Sequence, residues 1–206
     1  GHLMHNATFD FSDLHRHGRA FYDFLGLRKR FFVDELGWDI PHDNHVEMDQ
    51  YDTPLARYSV VIQDGMVIGG ARTMPTTARW GQNGYMLGDA VAGLLPGIPR
   101  TILPEAPCSA RIWECTRLVM SHDVTARQDR GRCLELIVDG LARTAHHGGA
   151  QRLISLSPLT LERALRQLGW DTERIGEPYL NPGDGRRYAV LSMSSTKPIA
   201  QPSVAA

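Results

Sequence analysis

The sequence predicts an α/β domain, a mixed sheet with helices packed on it. Three observations carry this. Residues 57–63 and 66–74 read as strands on either side of Asp64-Gly65, a strong hairpin signal. Further strand patterns at 111–120, 152–157 and 187–193 then alternate with helical patterns, an order that suggests a mixed sheet. Finally, 206 residues with 42% apolar content suit one domain with a core of its own.

The elements follow in chain order. Gly1-His2-Leu3-Met4 looks like a cloning scar, and residues 1–12 are expected to be a flexible lead-in. Residues 13–36 carry Leu14, Phe21, Leu25, Phe32 and Leu36 at helical spacing, with Gly37 as a stop. Gly26 inside that pattern predicts a break into two helices. Residues 37–56 are polar and irregular and read as loop. Residues 75–110 are rich in Gly and Pro, with one short helix expected near 88–95. So long an excursion reads as functional or mobile rather than as core. In 131–147, Leu134, Ile137, Val138, Leu141, Ala142 and Ala145 form an apolar stripe. Ser157-Pro158 supplies an N-cap and a first-turn proline for a helix bearing Leu161, Leu165 and Leu168, closed by Gly169. The Ser-, Pro- and Ala-rich residues 194–206 read as a disordered tail. Residues 13–193 are then expected to form a single domain.

Composition excludes some classes. No apolar run approaches the roughly 20 residues that span a bilayer, and no basic start precedes an apolar stretch as in a secretory signal. The net charge of −1 argues against a nucleic-acid protein held by bulk positive charge. Cys108, Cys115 and Cys133 have neither disulfide nor zinc spacing, which fits a reducing, cytoplasmic setting. His42-Asp43-Asn44-His45 and His146-His147 lack a convincing third and fourth ligand nearby, so no metal site is expected.

The total conceals two opposite fields. Residues 1–99 sum to −4, and residues 34–52 alone hold seven carboxylates and no Lys or Arg. Residues 100–166 sum to +3. Such fields attract different partners. The bland alternative is solvated loop acids beside an arginine-bearing helix.

Four constellations have chemical potential. Arg28 and Phe32 share a helix face, and with Trp38 the aromatics suit a flat or cationic group, while Asp49-Gln50-Tyr51-Asp52 offers carboxylates for an amine. Taken singly, Phe32 and Trp38 read equally as core. Arg72 ends the hairpin's return strand, as a carboxylate clamp or as a surface ion pair. In Trp113-Glu114-Cys115-Thr116-Arg117, two charges interrupt an apolar strand, and buried charge is costly unless paired or used. Strict alternation puts Glu114 and Thr116 on one face and Arg117 on the other, and a bulge would change that parity. Gln128 to Cys133 precedes the clearest helix, where backbone N–H groups make an anion site.

Together these residues resemble the acyl-homoserine-lactone synthases, the LuxI-type autoinducer synthases of quorum sensing. The similarity runs over about 27–188. It rests on Arg28, Phe32 and Trp38, on Met48-Asp49-Gln50-Tyr51-Asp52, on Gly70-Ala71-Arg72, on Trp113-Glu114-Cys115-Thr116-Arg117, and more weakly on Leu168-Gly169-Trp170. Cys115-Thr116 departs from the Ser-Ser or Leu-Ser often found there. The resemblance implies a fold like the Gcn5-related N-acetyltransferases (GNAT), with a mostly antiparallel central sheet flanked by helices. Gln128-x-x-Gly131-x-Cys133 then looks like that superfamily's pyrophosphate loop, with Cys133 in place of Gly or Ala.

The implied reaction transfers an acyl chain from acyl carrier protein to the amine of S-adenosylmethionine, which is a substrate and not a cofactor. Lactone closure then releases methylthioadenosine. The resemblance implies Glu114, Arg117 and Asp49 as catalytic, with Glu114 as base through water. Arg28, Phe32, Trp38, Asp49, Asp52 and Arg72 would bind S-adenosylmethionine. Trp113, Cys115, Thr116 and Ser155 would border the acyl chain, with Leu118, Leu153, Leu156 and Leu161, and Gln128 and Gly131 would border the pantetheine. Ser155 falls near a position where members favouring 3-oxo chains carry a hydroxyl. Arg127, Arg130, Arg132, Arg152, Arg163 and Arg166 would steer the acidic carrier protein. The competing expectations are an N-acyltransferase using acyl-coenzyme A and another amine, and a non-catalytic ligand-binding member.

Overall fold

The computed structural model describes residues 3–199. Eight strands form one sheet: β1 (His5–Phe9), β2 (Arg57–Gln63), β3 (Met66–Pro75), β4 (Ile112–Met120), β5 (Arg152–Pro158), β6 (Glu173–Arg174), β7 (Tyr179–Leu180) and β8 (Arg187–Ser194). Their order is β1-β2-β3-β4-β5-β8-β6, with β7 also paired to β8. Every pairing is antiparallel except β4–β5. The helices are α1 (Ala20–Arg28), continued by a π-helical segment (Lys29–Glu35), α2 (Met86–Val91), α3 (Arg127–His147) and α4 (Thr160–Gln167).

Two adjacent glycines let helices press on both faces of β3. A side chain at Gly69 would meet Cys133 Sγ of α3 at 2.8 Å, and one at Gly70 would meet Phe24 of α1 at 2.8 Å. Alternation sends the two positions to opposite faces. The sheet is therefore a thin partition with α3 behind it and α1 in front.

Two irregularities create the site. First, β4 and β5 pair only from Ile112↔Arg152 to Glu114↔Ile154 and then part, so a gap opens in mid-sheet. Second, Gly70 pairs with Val119 and Arg72 with Thr116, which sets Arg117 and Leu118 against Ala71 alone. Arg117 takes φ 60° at this β-bulge, a left-handed backbone that non-glycine residues seldom adopt.

Several expected boundaries shift. Residues 5–9, read as lead-in, form the edge strand β1, with Ala7 and Phe9 buried and Asn6 donating to Ser59 Oγ and to the Val60 carbonyl. Gly26 does not break the first helix, which instead widens after Arg28, where Leu36 N–H donates to Phe31 O. The short helix begins at Met86, earlier than expected. Pro158 ends β5 rather than opening α4, so Ser157 is not its cap; Gly169 does follow the helix with φ 99°. α3 starts at Arg127, so Gln128 and Gly131 lie within it rather than in a preceding loop. Ser194 and Ser195, placed in the tail, belong to the fold: Ser194 ends β8, and Ser195 donates to the Ala150 carbonyl. Residues 200–206 lie outside the described residues.

Candidate active site

A closed ring of three arginines and three carboxylates lies in front of the bulge. Arg28, at the end of α1, donates from Nε and Nη2 to Glu47 at 2.8 and 2.9 Å. From Nη1 and Nη2 it also donates to Asp52, both at 2.8 Å. Arg72 on β3 donates to Asp49 at 2.6 and 3.2 Å, lies 3.1 Å from Asp52, and donates to Thr116 Oγ1 at 2.9 Å. Arg117 completes the circuit, donating to Glu47 at 2.9 Å and to Asp49 at 3.0 Å. Each guanidinium meets two carboxylates and each carboxylate two guanidiniums. The Tyr58 hydroxyl donates to Asp52 as well, at 2.7 Å.

Burial makes this arrangement obligatory. Arg28, Arg72 and Glu47 are fully buried, and a charge left unpaired there is very costly. Burial alone would raise the Asp49 and Asp52 carboxyls. Arg72, joined by Arg117 at Asp49 and by Arg28 at Asp52, overrides it and lowers both, Asp52 well below the usual carboxylate range. The three carboxylates lie close enough together to hold a cation, but the guanidiniums already occupy them.

The bulge is what closes the ring. Regular alternation would turn Arg117 away from Thr116; the extra residue brings it to the same side. There its guanidinium lies 5.5 Å from the Phe32 ring and 5.6 Å from Trp38, themselves stacked at 4.7 Å. The aromatic pair is thus neither plain core nor free surface. With Arg117 it forms the boundary between the ring and a cavity of about 460 Å³ that fills the gap between β4 and β5. Leu118, Leu153, Leu156 and Leu161 line this cavity, as do Cys115 and Ser155. Ser155 Oγ lies 2.7 Å from Ser157 Oγ.

Other expected residues fall elsewhere. Trp113 does not line the cavity: its ring packs at Gly148, behind the sheet, and its indole donates to the Ala110 carbonyl. Glu114 is 1% exposed and does not line the cavity either. Its carboxylate accepts from the backbone N–H groups of Met86 and Leu87 at 3.0 and 2.8 Å, gripping the start of α2. Burial raises its pKa to about 7. Both oxygens are thus engaged with α2, an attachment that the sequence does not reveal. Asp89 of α2 in turn accepts from Tyr51 OH at 2.7 Å, so Glu114 supports the carboxylate loop through α2.

Gln128 and Gly131 are exposed in the first turns of α3, and a side chain at Gly131 would meet open space. Of the basic residues, Arg130 folds back onto the carbonyls of Ser121 and Val124. Arg132 pairs with Glu135, Arg152 binds Ser192, and Arg166 binds the Thr172 carbonyl and Glu162. Arg127 and Arg163 are exposed and join none of the ion pairs among the described residues.

Sequence reasoning missed two residues. Glu47 was only one acid among seven, with no spacing to mark it. Asp184 accepts from Trp38 Nε1 at 2.9 Å across 146 residues, a partnership no local pattern encodes.

The family model for autoinducer synthases matches residues 13–196. The chain belongs to the autoinducer synthase family. As an acyl-homoserine-lactone synthase it is an acyltransferase of quorum sensing. It is similar to the acyl-homoserine-lactone synthase of Acinetobacter nosocomialis, with 35% identity over 75% of this chain and 82% of that one. Among solved structures, the autoinducer synthase fold of this chain resembles the AHL synthase LasI, with TM-score 0.76, 24% identity and coverage of 95% and 92%. It also resembles BjaI, described as a CoA-dependent acyl-homoserine lactone synthase with MTA, with TM-score 0.74, 20% identity and coverage of 95% and 84%. The fold extends beyond these synthases to a Lactobacillus plantarum protein described as an N-acetyltransferase, with TM-score 0.55, 16% identity and coverage of 94% and 99%. The GNAT-like expectation holds. Among the described residues, no helix is long and apolar enough to cross a membrane.

Proposed function

We propose that this synthase acylates the α-amine of S-adenosylmethionine with a chain delivered by acyl carrier protein, then closes the lactone. The observation that carries this reading is the junction at Phe32 and Trp38, where a ring of paired charges abuts an apolar cavity. S-adenosylmethionine carries a sulfonium, an ammonium and a carboxylate. Ring faces attract the first, Asp49 or Glu47 suits the second, and an arginine fork suits the third. The cavity suits the acyl chain.

In the first step the amine nitrogen attacks the thioester carbon. An amide bond forms, the C–S bond breaks, and the carrier thiol leaves with the amine's proton. A free α-amine has a pKa near 7.7–8.0, so roughly a third is unprotonated around pH 7.5. Pairing with a carboxylate raises that pKa, so the amine sheds its proton on reaching the thioester, and a carboxylate reached through water can take it. Burial pushes the Cys115 thiol up to about 12, which favours direct attack over an acyl-cysteine intermediate. In the second step the methionine carboxylate attacks its own γ-carbon and expels neutral methylthioadenosine. Holding the folded conformer is the main catalytic task there.

Exposed Arg127 and Arg163 suit the acidic surface of a carrier protein. The Ser155–Ser157 pair has one hydroxyl proton beyond the bond they share, which suits an oxygen at C3 of the chain. The test is direct: supply S-adenosylmethionine with acyl carrier protein thioesters and, separately, acyl-coenzyme A of several lengths. Mass spectrometry is expected to find acyl-homoserine lactone and methylthioadenosine, faster with the carrier protein. Absence of both products with every donor overturns the reading; faster turnover with coenzyme A overturns the donor assignment.

A further inference from the structure

We infer that Asp184 is a positioning residue that fastens a movable wall of the acyl cavity. Asp184 does not line the cavity, yet it holds three residues that do. One oxygen accepts from Trp38 Nε1 at 2.9 Å and from Tyr188 OH at 2.5 Å. The other accepts from the backbone N–H of Arg186 at 2.9 Å. The carboxylate sits in the turn joining β7 to β8, closed by Asn181 N–H on the Arg186 carbonyl and by Gly185 N–H on the Asn181 carbonyl. Trp38 comes from the other end of the chain, just after the π-helical segment. The bond therefore ties the N-terminal side of the cavity to its C-terminal side.

The tie matters because no covalent or sheet contact replaces it. Trp38 lies outside the strands, held by stacking on Phe32 and by Arg117. Its ring borders both the charged ring and the cavity. Without Asp184 the indole keeps its ring contacts, with Phe32 at 4.7 Å and Tyr188 at 6.3 Å, but loses the hydrogen bond that fixes it to the C-terminal side, and a long acyl chain is free to displace it. An acceptor at this position is what both the indole N–H and the Tyr188 hydroxyl need. This inference rests on the proposed acyl site but is read out separately from turnover.

The experiment follows release of a non-hydrolysable dodecyl-pantetheine thioether by stopped-flow fluorescence. Asp184→Ala and Trp38→Phe are each expected to speed release about tenfold, the rate equivalent of 1.4 kcal/mol, and the double variant no more than either alone. Asp184→Asn keeps an acceptor for Trp38 and Tyr188 and should restore release to near the wild-type rate. In turnover, Asp184→Ala should raise KM for the acyl donor by a larger factor than KM for S-adenosylmethionine, because Trp38 borders both. Unchanged release in either single variant, multiplying effects in the double variant, or no rescue by Asn overturns the inference. A wild-type protein that binds the probe but makes no lactone overturns the proposed function instead.

Discussion

Arg117 reaches Glu47 at 2.9 Å across 70 residues of sequence, and it does so from a left-handed backbone at a β-bulge. The same bulge brings its guanidinium to Asp49 and to the faces of Phe32 and Trp38. Arg117→Lys keeps the charge but supplies one point donor where two are used. It should lower kcat/KM for S-adenosylmethionine at least about tenfold, the equivalent of one lost charge-assisted bond. Steady-state kinetics with the acyl donor saturating checks this.

Glu47 serves two guanidiniums from full burial. Glu47→Gln leaves Arg28, fully buried, and Arg117, nearly so, each short of a charged partner. Breaking a buried pair in this way costs about 3–5 kcal/mol. Urea unfolding of the variant should show a lower midpoint with an unchanged slope.

Glu114 gives a pH signature of opposite sign to the ring acids. Its folded pKa of about 7 exceeds the ordinary carboxylate value of 4.5. The folded state therefore binds the proton more tightly than the unfolded chain between those values, and stability falls as pH rises through that window. The shift corresponds to about 3 kcal/mol. Glu114→Gln should flatten this part of the profile, leaving the wild type the more pH-dependent protein between 4.5 and 7. Melting temperatures across that range test it.

Ser155→Ala should shift the product ratio from 3-oxo or 3-hydroxy toward unsubstituted lactone when both donors compete. An unchanged ratio would show that the hydroxyl does not read C3.

Arg163 and Arg166 share a helix but differ in engagement, since Arg166 is tied to Thr172 and Glu162. Arg163→Glu should raise KM for acyl carrier protein several-fold and lessen its salt dependence, with little effect on an acyl-pantetheine donor. An equal effect on both donors would separate Arg163 from carrier docking.

The hairpin, the α3 stripe and the strand–helix alternation were legible because each is a local pattern of two or 3.6 residues. β1 was not, because three of its five residues are His, Asn and Thr, and its burial depends on β2, some fifty residues away. The site residues were legible as types at suggestive spacings. Their connections were not: the parity of Arg117 depends on a bulge, and Glu114 is a charge in an apolar strand that needs a reason. The reason here is a pair of backbone N–H groups at Met86 and Leu87, inside an excursion that reads as structureless.

The ring of Arg28, Glu47, Arg117, Asp49, Arg72 and Asp52 is electrically balanced within itself. Such a site holds no vacancy that a stray buffer ion would fill. A zwitterion enters only by trading places: its carboxylate takes a guanidinium from one acid, and its ammonium takes the acid so released. Admission is an exchange of partners rather than an addition, and a ligand bringing only one of the two charges would leave an orphan behind.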